Sequence, residues 1–499
     1  MERGGGILMH ITSLPSPYGI GTLGREAYRF ADFLRRAAQT YWQILPIGPT
    51  GFADSPYQSF STFAGNPYLI DLDILRDEGL LHSAEYMYND WGNDEEAADY
   101  GKIYAERGKV LAAAADRLFK LSPEGFRAFC RKNASWLDNY ALFMAAKEAH
   151  GGAPWTDWES GLRRRDEIET GRFEKEHSRL IDRQKAVQFL FFRQWEALRR
   201  HTEKRGIQII GDMPIYVAQD SADVWANPEL FLLDSGGRPA WAAGVPPDGF
   251  SDAGQLWGNP VYNWDAMRKN GYEWWISRMR AAAGLFDIVR IDHMRGFESY
   301  YAIPADAADA REGHWEKGPG IGLFRAIEKE LGPQRIIAED LGFITEDVKT
   351  FMRATGYPGM KILEFAFDSR DDSAYLPHNY ERNCAVYTGT HDNDTALGWL
   401  AGARPEDAAL AKRYLRLHSG ERANWGMMRA VWASVADAAI VQMQDILGLG
   451  SEARMNTPST TGRNWKWRAR RGVFTDALAE MLKAEMELYG RSPKQRRGI

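Results

Sequence analysis

Eight short, nearly continuous apolar runs punctuate the chain, and they restrict its fold more than any other feature. They are Gly6–His10, Tyr41–Ile47, Gly206–Pro214, Phe286–Asp292, Arg335–Asp340, Met360–Phe367, Cys384–Thr390 and Ala438–Gln444. Runs that do not alternate apolar with polar are expected of parallel strands covered on both faces. Helical patterns lie between many of them, such as REAYRFADFLRRAA after the first and YEWWISRMRAAAG before the fourth. This alternation predicts an α/β fold with a parallel sheet. A count of eight favours closure into a (β/α)8 TIM barrel over an open sheet. At 499 residues length alone suggests several domains. Barrels enlarge by insertion, however, so a single barrel over residues 1–499 is expected.

Two gaps are too long for one crossing helix. Residues 66–205, between the second and third strands, read as a mostly helical insertion. In YGKIYAERGKVLAAAADRLFK, Ile103, Val110, Leu111, Ala114 and Leu118 share one helical face. The mixed charges of GLRRRDEIETGRFEKEHSRL read as a solvated helix surface. Residues 214–285, between the third and fourth strands, are richer in Gly, Pro and Trp. They read as an irregular subdomain near the barrel mouth.

A barrel gathers its chemistry at the C-terminal ends of its strands. Three runs lead into acids there: Asp292 in IVRIDHMRGF, Glu339 in RIIAEDLG and Asp392 in YTGTHDNDT. Converging carboxylates suggest glycosyl chemistry, with one as nucleophile and another as acid and base. Arg290, two residues before Asp292, points to the same side of the strand. It would keep that carboxylate ionised with a low pKa, as a nucleophile needs; a structural Arg–Asp pair would look the same. An acid needs a pKa raised by a dry site and a nearby carboxylate, which suits the longer reach of Glu339. Glu339 or Asp340 would alternatively cap the following helix, Asp340 being the better cap. His391 and Asp392 would grip neighbouring sugar hydroxyls. Asp and Asn also favour turns, but a turn leaves the histidine unexplained.

The net charge of −6 argues against a nucleic-acid partner or an anionic membrane surface. A neutral polymer or small polar substrate fits better. The basic tail from Arg491, RSPKQRRGI, reads as a solvated, frayed terminus. Cys130 and Cys384 make neither a disulfide framework nor a metal spacing, which suits a reducing compartment. The start carries no apolar leader pattern and no apolar run reaches membrane-spanning length, so the cytoplasm is the expected location. Histidines are few, and neither a P-loop nor H-E-x-x-H occurs, so neither cofactor nor metal is expected. Gly19–Gly24 matches G-x-G-x-x-G, but no strand directly precedes it and no acid follows the next strand. The 18 tryptophans mostly serve a core; stacking on sugar rings is their more specific use.

Taken together, these residues resemble the amylomaltases, the 4-α-glucanotransferases of glycoside hydrolase family 77. The likeness runs over essentially the whole chain. It is carried by HITSLPSPYGIGTLG, DSPYQSFSTFAGNPYLIDL, GDMPIYVAQDSADVWANPELF, GVPPDGFSDAGQLWGNPVYNW and RMNTPSTTGRNWKWR. The resemblance implies a retaining double displacement without a cofactor. In it Asp292 is the nucleophile, Glu339 the acid and base, and Asp392 the transition-state stabiliser, supported by Arg290 and His391. Tyr57 would stack on the sugar at the cleaved end and Asp212 would hydrogen-bond nearby. Phe250 and Trp257 would flank acceptor sugars from a flexible loop at 244–260, with Asn464 a further acceptor-side residue. One departure shows: Ser459 stands where a glycine is expected after NTP. The implied partners are maltooligosaccharides, amylose or glycogen-derived glucans, with glucose as acceptor. An amylase-type hydrolase on the same barrel would share all three carboxylates. A non-catalytic glucan-binding protein would need a broken set.

Overall fold

A computed structural model describes residues 1–121, 124–247, 251–342, 344–370, 373–418 and 420–493. Twelve strands run through these residues: β1 (Gly4–Leu8), β2 (Tyr41–Gln43), β3 (Gln208–Met213), β4 (Trp241–Val245), β5 (Gln255–Pro260), β6 (Ile288–Ile291), β7 (Ser299–Pro304), β8 (His314–Lys317), β9 (Ile336–Ala338), β10 (Gly359–Ile362), β11 (Cys384–Tyr387) and β12 (Ala438–Gln442). Eight of them form one parallel sheet in the order β10-β11-β12-β1-β2-β3-β6-β9. Ala338 N–H donates to Pro358 O across the remaining seam, at 2.9 Å. The sheet is thus a nearly closed (β/α)8 TIM barrel, and each of its strands overlaps one of the eight apolar runs. The runs overshoot the strand ends because apolar content reports burial, not pairing. Pro46, for example, has no N–H to pair, and β2 stops at Gln43.

Helices cover the barrel for local reasons. Between β9 and β10, helix Glu346–Thr355 begins where Thr345 Oγ1 accepts from Val348 N at 3.3 Å. It ends at Gly356, whose φ of +68° favours glycine. Residues 66–205 hold helices Tyr100–Leu121, Glu124–Ala149, Glu167–Glu176 and Ser178–Lys204. Ile103, Val110, Leu111, Ala114 and Leu118 are all buried, whereas Glu167–Glu176 buries no residue. Helix Ser178–Lys204 reaches the barrel through Gln188 and Gln194. Their Oε1 atoms accept from Gly65 N and Asp71 N at 2.7 Å each, which pins the chain leaving β2.

Two expectations need correction. Part of 214–285 is ordered, not irregular: β4 and β5 form an antiparallel sheet in the order β5-β4-β7-β8. Two of its strands follow Asp292, outside the expected boundary. Gly and Pro within these short segments hide the strand pattern, and pairing between chain-distant segments leaves no local trace. The terminus from Arg491 is not frayed at its start, for Arg491 is fully buried. Its guanidinium donates to Trp432 O at 2.6 Å, Ser434 O at 3.0 Å and Gly4 O at 3.2 Å. Five donors in a planar fork suit carbonyls gathered at the N-terminal end of the barrel. Residues 494–499 lie outside the described residues. Among the described residues no helix is long and apolar enough to cross a membrane.

The Gly19–Gly24 run is a packing feature. A Cβ at Gly21 would lie 1.9 Å from Ile11 O, and one at Gly24 would lie 1.8 Å from Asp71 Oδ2. These glycines permit close approach of protein to protein.

Candidate active site

Strand register builds the centre of the site. β6 pairs with β3 at Asp212↔Arg290 and with β9 at Ile291↔Ala338. Asp292 and Glu339 are each the next residue beyond that second pair. The ladder continues past the strands: Glu339 N donates to Ile291 O at 3.0 Å and Met294 N to Glu339 O at 2.9 Å. Two carboxylates therefore leave adjacent strand ends side by side.

Arg290 lies beneath them, 3% exposed. Its Nη1 donates to both oxygens of Asp212 at 2.8 and 2.7 Å and to Asp292 Oδ1 at 3.0 Å. Asp212 is the inner partner. Its side chain is fully covered, and it also accepts from Tyr57 Oη at 2.8 Å. Both of its oxygens are thus spent on Arg290 and Tyr57, which leaves it beneath the groove and not on its surface. The Tyr57 ring stacks on His391, with centroids 5.1 Å apart and planes 21° apart.

Glu339 accepts from His293 N at 2.6 Å and Leu341 N at 2.8 Å. Neither Glu339 nor Asp340 caps the following helix, which Thr345 caps; Asp340 Oδ1 accepts from Met360 N at 2.7 Å instead. Burial first, and Asp292 second, push the Glu339 carboxyl up to about 7 against the pull of Arg290 and the two backbone donors. Asp292 also rises, contrary to the expectation of a low value. Burial outweighs Arg290 there, and Asp212 and Asp392 add to the rise. The pair titrates as a unit. Glu339 is the drier member, buried where Asp292 is only half-buried, and Asp292 touches Arg290. The shared proton therefore belongs on Glu339 and the charge on Asp292.

Asp392 enters from the loop after β11 with its side chain 46% exposed. Asn456 Nδ2 donates to its Oδ1 at 2.6 Å, and Arg454 Nη2 donates to its backbone oxygen at 2.6 Å. His391 Nε2 lies 3.4 Å from the same carboxylate. Trp257, on β5, sets its ring at 90° to His293 with centroids 4.9 Å apart. Gln58 Nε2 ties this strand to the Tyr57 segment through Asn259 Oδ1 at 3.1 Å. Asn464 closes its own loop: Oδ1 accepts from Thr457 N at 3.0 Å and Nδ2 donates to Thr460 O at 2.8 Å. Ser459 adopts φ +62°, the left-handed region in which glycine is unstrained. Phe250 lies outside the described residues.

The structure brings Tyr57, Asp212, Arg290, Asp292, His391 and Asp392 into one bonded and stacked group, with Glu339 beside Asp292 on the next strand end. Sequence reasoning missed Arg454, Asn456 and His293. The first two stand in the RMNTP segment, but nothing local links them to an aspartate more than 60 residues away. His293 had only its place beside Asp292 to mark it. Its φ is +49°, and its buried Nε2 has no hydrogen-bond partner among the described residues. Among the described residues no cluster of three His, Cys, Asp or Glu is arranged to hold a metal ion.

The family model described as 4-alpha-glucanotransferase matches residues 9–474. A 4-alpha-glucanotransferase of Clostridium butyricum is 48% identical, over 97% of this chain and 100% of its own. One of Thermus thermophilus is also 48% identical, over 98% and 99%. Among solved structures, an amylomaltase from Streptococcus agalactiae in complex with acarbose superposes with a TM-score of 0.96 at 42% identity. That match covers 99% of this chain and 100% of the other.

Proposed function

The chain belongs to the 4-alpha-glucanotransferase family, and we propose how its strand-end carboxylates carry that reaction. A segment of α-1,4-glucan passes from a donor maltooligosaccharide to the 4-hydroxyl of an acceptor glucan or of glucose. Asp292 attacks the anomeric carbon while Glu339 gives its proton to the departing 4-oxygen, so the glycosidic bond breaks as an acyl-glycosyl bond forms. Glu339, now ionised, takes the proton of the acceptor 4-hydroxyl. That oxygen attacks the same carbon and frees Asp292. Two inversions leave the configuration retained. Asp392 faces the positive charge that develops on the sugar, and the stacked Tyr57–His391 pair supports the ring at the cleaved end.

The observation that carries this reading is the register that sets Asp292 beside Glu339, with Arg290 hydrogen-bonded to Asp292 and not to Glu339. It divides two like residues into an ionised nucleophile and a protonated acid. Transfer, as opposed to hydrolysis, needs an acceptor sugar held where water would otherwise react. Trp257 at the mouth supports such a site, and so does the family. The acarbose-bound relative supports a saccharide in the groove. Donors drawn from amylose or glycogen, which are neutral, suit a protein of net charge −6. Two free cysteines support a reducing, cytoplasmic setting.

The test is incubation with maltotriose alone, following the oligosaccharide ladder and total reducing ends together. Longer products with free glucose at nearly constant reducing ends are expected. Rising reducing ends with only shorter products would establish the hydrolase instead.

A further inference from the structure

His391 also lines a small cavity with about 10 Å³ of room, the size of one water molecule. Its lining includes four polar side chains, His10, His391, Gln442 and Gln444. The other five lining residues, Leu8, Met9, Leu45, Met455 and Trp467, are largely apolar, so a water there would depend on those four polar groups, and two to four polar partners are what a buried water needs.

The hydrogen bonds around the cavity fix the polarity of three of these groups. His10, 5% exposed, follows β1 in the HITSLP segment. Leu45 N donates to its Nδ1 at 3.2 Å, and a ring nitrogen that accepts carries no proton. Burial holds the imidazole neutral, its pKa pushed down to about 3. The proton therefore sits on Nε2, a donor that bonds no protein atom among the described residues. Gln442 Nε2 donates to Asp394 O at 2.9 Å and Gln444 Nε2 to Ala453 O at 3.2 Å. Backbone carbonyls only accept, so these amide orientations are settled. Each glutamine keeps its carbonyl oxygen as an acceptor.

We propose that one buried water occupies this cavity, accepting from His10 Nε2 and donating to the glutamine carbonyls, and that His10 is thereby a positioning residue for His391. The inference rests on the proposed place of His391 beside the reacting sugar. His391 meets the polar atoms of its working partners at long range, 3.5 Å to Tyr57 Oη and 3.4 Å to Asp392, and the rings of Tyr57 and Trp465 lie against it; the cavity is a further part of its surroundings. A water bonded on three sides fills the space into which the ring would otherwise retreat. No reacting atom touches His10.

The experiment pairs a crystal structure of the wild-type protein, at a resolution that orders internal waters, with kinetics of His10→Asn. Asparagine Oδ1 reproduces the acceptor for Leu45 N but is too short to supply the cavity donor. A water peak bonded to His10 Nε2 is expected in the wild type. In folded His10→Asn we expect kcat on maltotriose to fall about 10-fold with KM within about twofold, as for a small misplacement of a binding group. An empty wild-type cavity overturns the water site. An unchanged kcat in folded His10→Asn overturns the positioning role. A water peak in a wild-type protein that transfers no glucan would instead break the functional reading, leaving the site intact. If His10→Asn fails to fold, His10→Gln gives the second comparison. Glutamine reaches the cavity, so the water peak should survive in it, and its loss there would count against the proposal.

Discussion

The two flanks of the cleavage point are built by different means. Asp212, Arg290, Asp292 and Glu339 sit on or directly beyond three neighbouring parallel strands, and main-chain register aligns them. Asp392, Trp257 and Asn464 stand on loops and on a separate antiparallel sheet. Asn464 is held within its own loop, whereas side-chain hydrogen bonds between chain-distant segments hold the other two, such as Asn456 to Asp392 and Gln58 to Asn259. A ladder positions a side chain through many cooperative bonds, whereas a loop depends on one or two. The first flank should be hard to displace and intolerant of chemical change. The second should be open to adjustment, which suits acceptors of varied length.

Four measurements would break or sharpen this contrast. The largest effect is expected for Asp292→Asn, which keeps the shape and removes the proposed nucleophile. Turnover should fall by about 10⁴-fold or more with the far-UV spectrum unchanged; full activity would show that the ladder flank does not hold the reacting group. Asn456→Ala should come next. It removes a donor from the Asp392 carboxylate, and kcat should drop about 100-fold while thermal stability moves little. A drop as large as that of Asp292→Asn would mean that the loop flank is as unforgiving as the ladder.

The third measurement is the pH profile of kcat/KM. In the proposed reaction Glu339 enters the first step protonated, and its folded pKa is raised to about 7. Rate should therefore decline as pH climbs through about 7. Burial also makes the folded state hold this proton more tightly than the unfolded chain does, so its stabilising contribution is complete below about pH 4.5 and fades as pH rises through 7. A flat rate from pH 6 to 9 would remove Glu339 from the acid role. The smallest effect is expected for Ser459→Gly. Relief of the left-handed backbone should raise stability by about 1 kcal/mol, read as a small increase in Tm, with the maltotriose product ladder shifted in length but not in kind. A loss of stability would show that the Ser459 side chain matters more than its backbone strain.

The ladder flank was legible because its residues sit two apart on one strand or at the ends of apolar runs, where the period of a strand dictates direction. Arg290 and Asp292 could be paired on that basis alone. The loop flank was legible only in part. Asp392 and His391 showed themselves as chemistry-bearing residues after a strand, but Arg454 and Asn456, which hold them, did not. Asn464 and Asp212 were foreseen near the sugar, and the structure has their polar atoms engaged with protein: a loop in the first case, Tyr57 and Arg290 in the second. The direction of the Asp292 pKa was also misread, because an adjacent arginine is visible in a sequence and the dryness around a carboxylate is not. Arg491 shows the same limit. A basic terminal segment looks solvated until the fold collects carbonyls for it to bind.

By itself, the sequence determined the barrel, its eight strands and the three acids at their ends, because short-range periodicity and strand-end position are properties of consecutive residues. The tertiary structure alone decided which carboxylate keeps the proton, which distant side chains steady Asp392, how four short strands form a second sheet, and how Arg491 comes to be buried. Each of those depends on burial and on contacts between segments far apart in the chain, and neither is a property of any local window of residues.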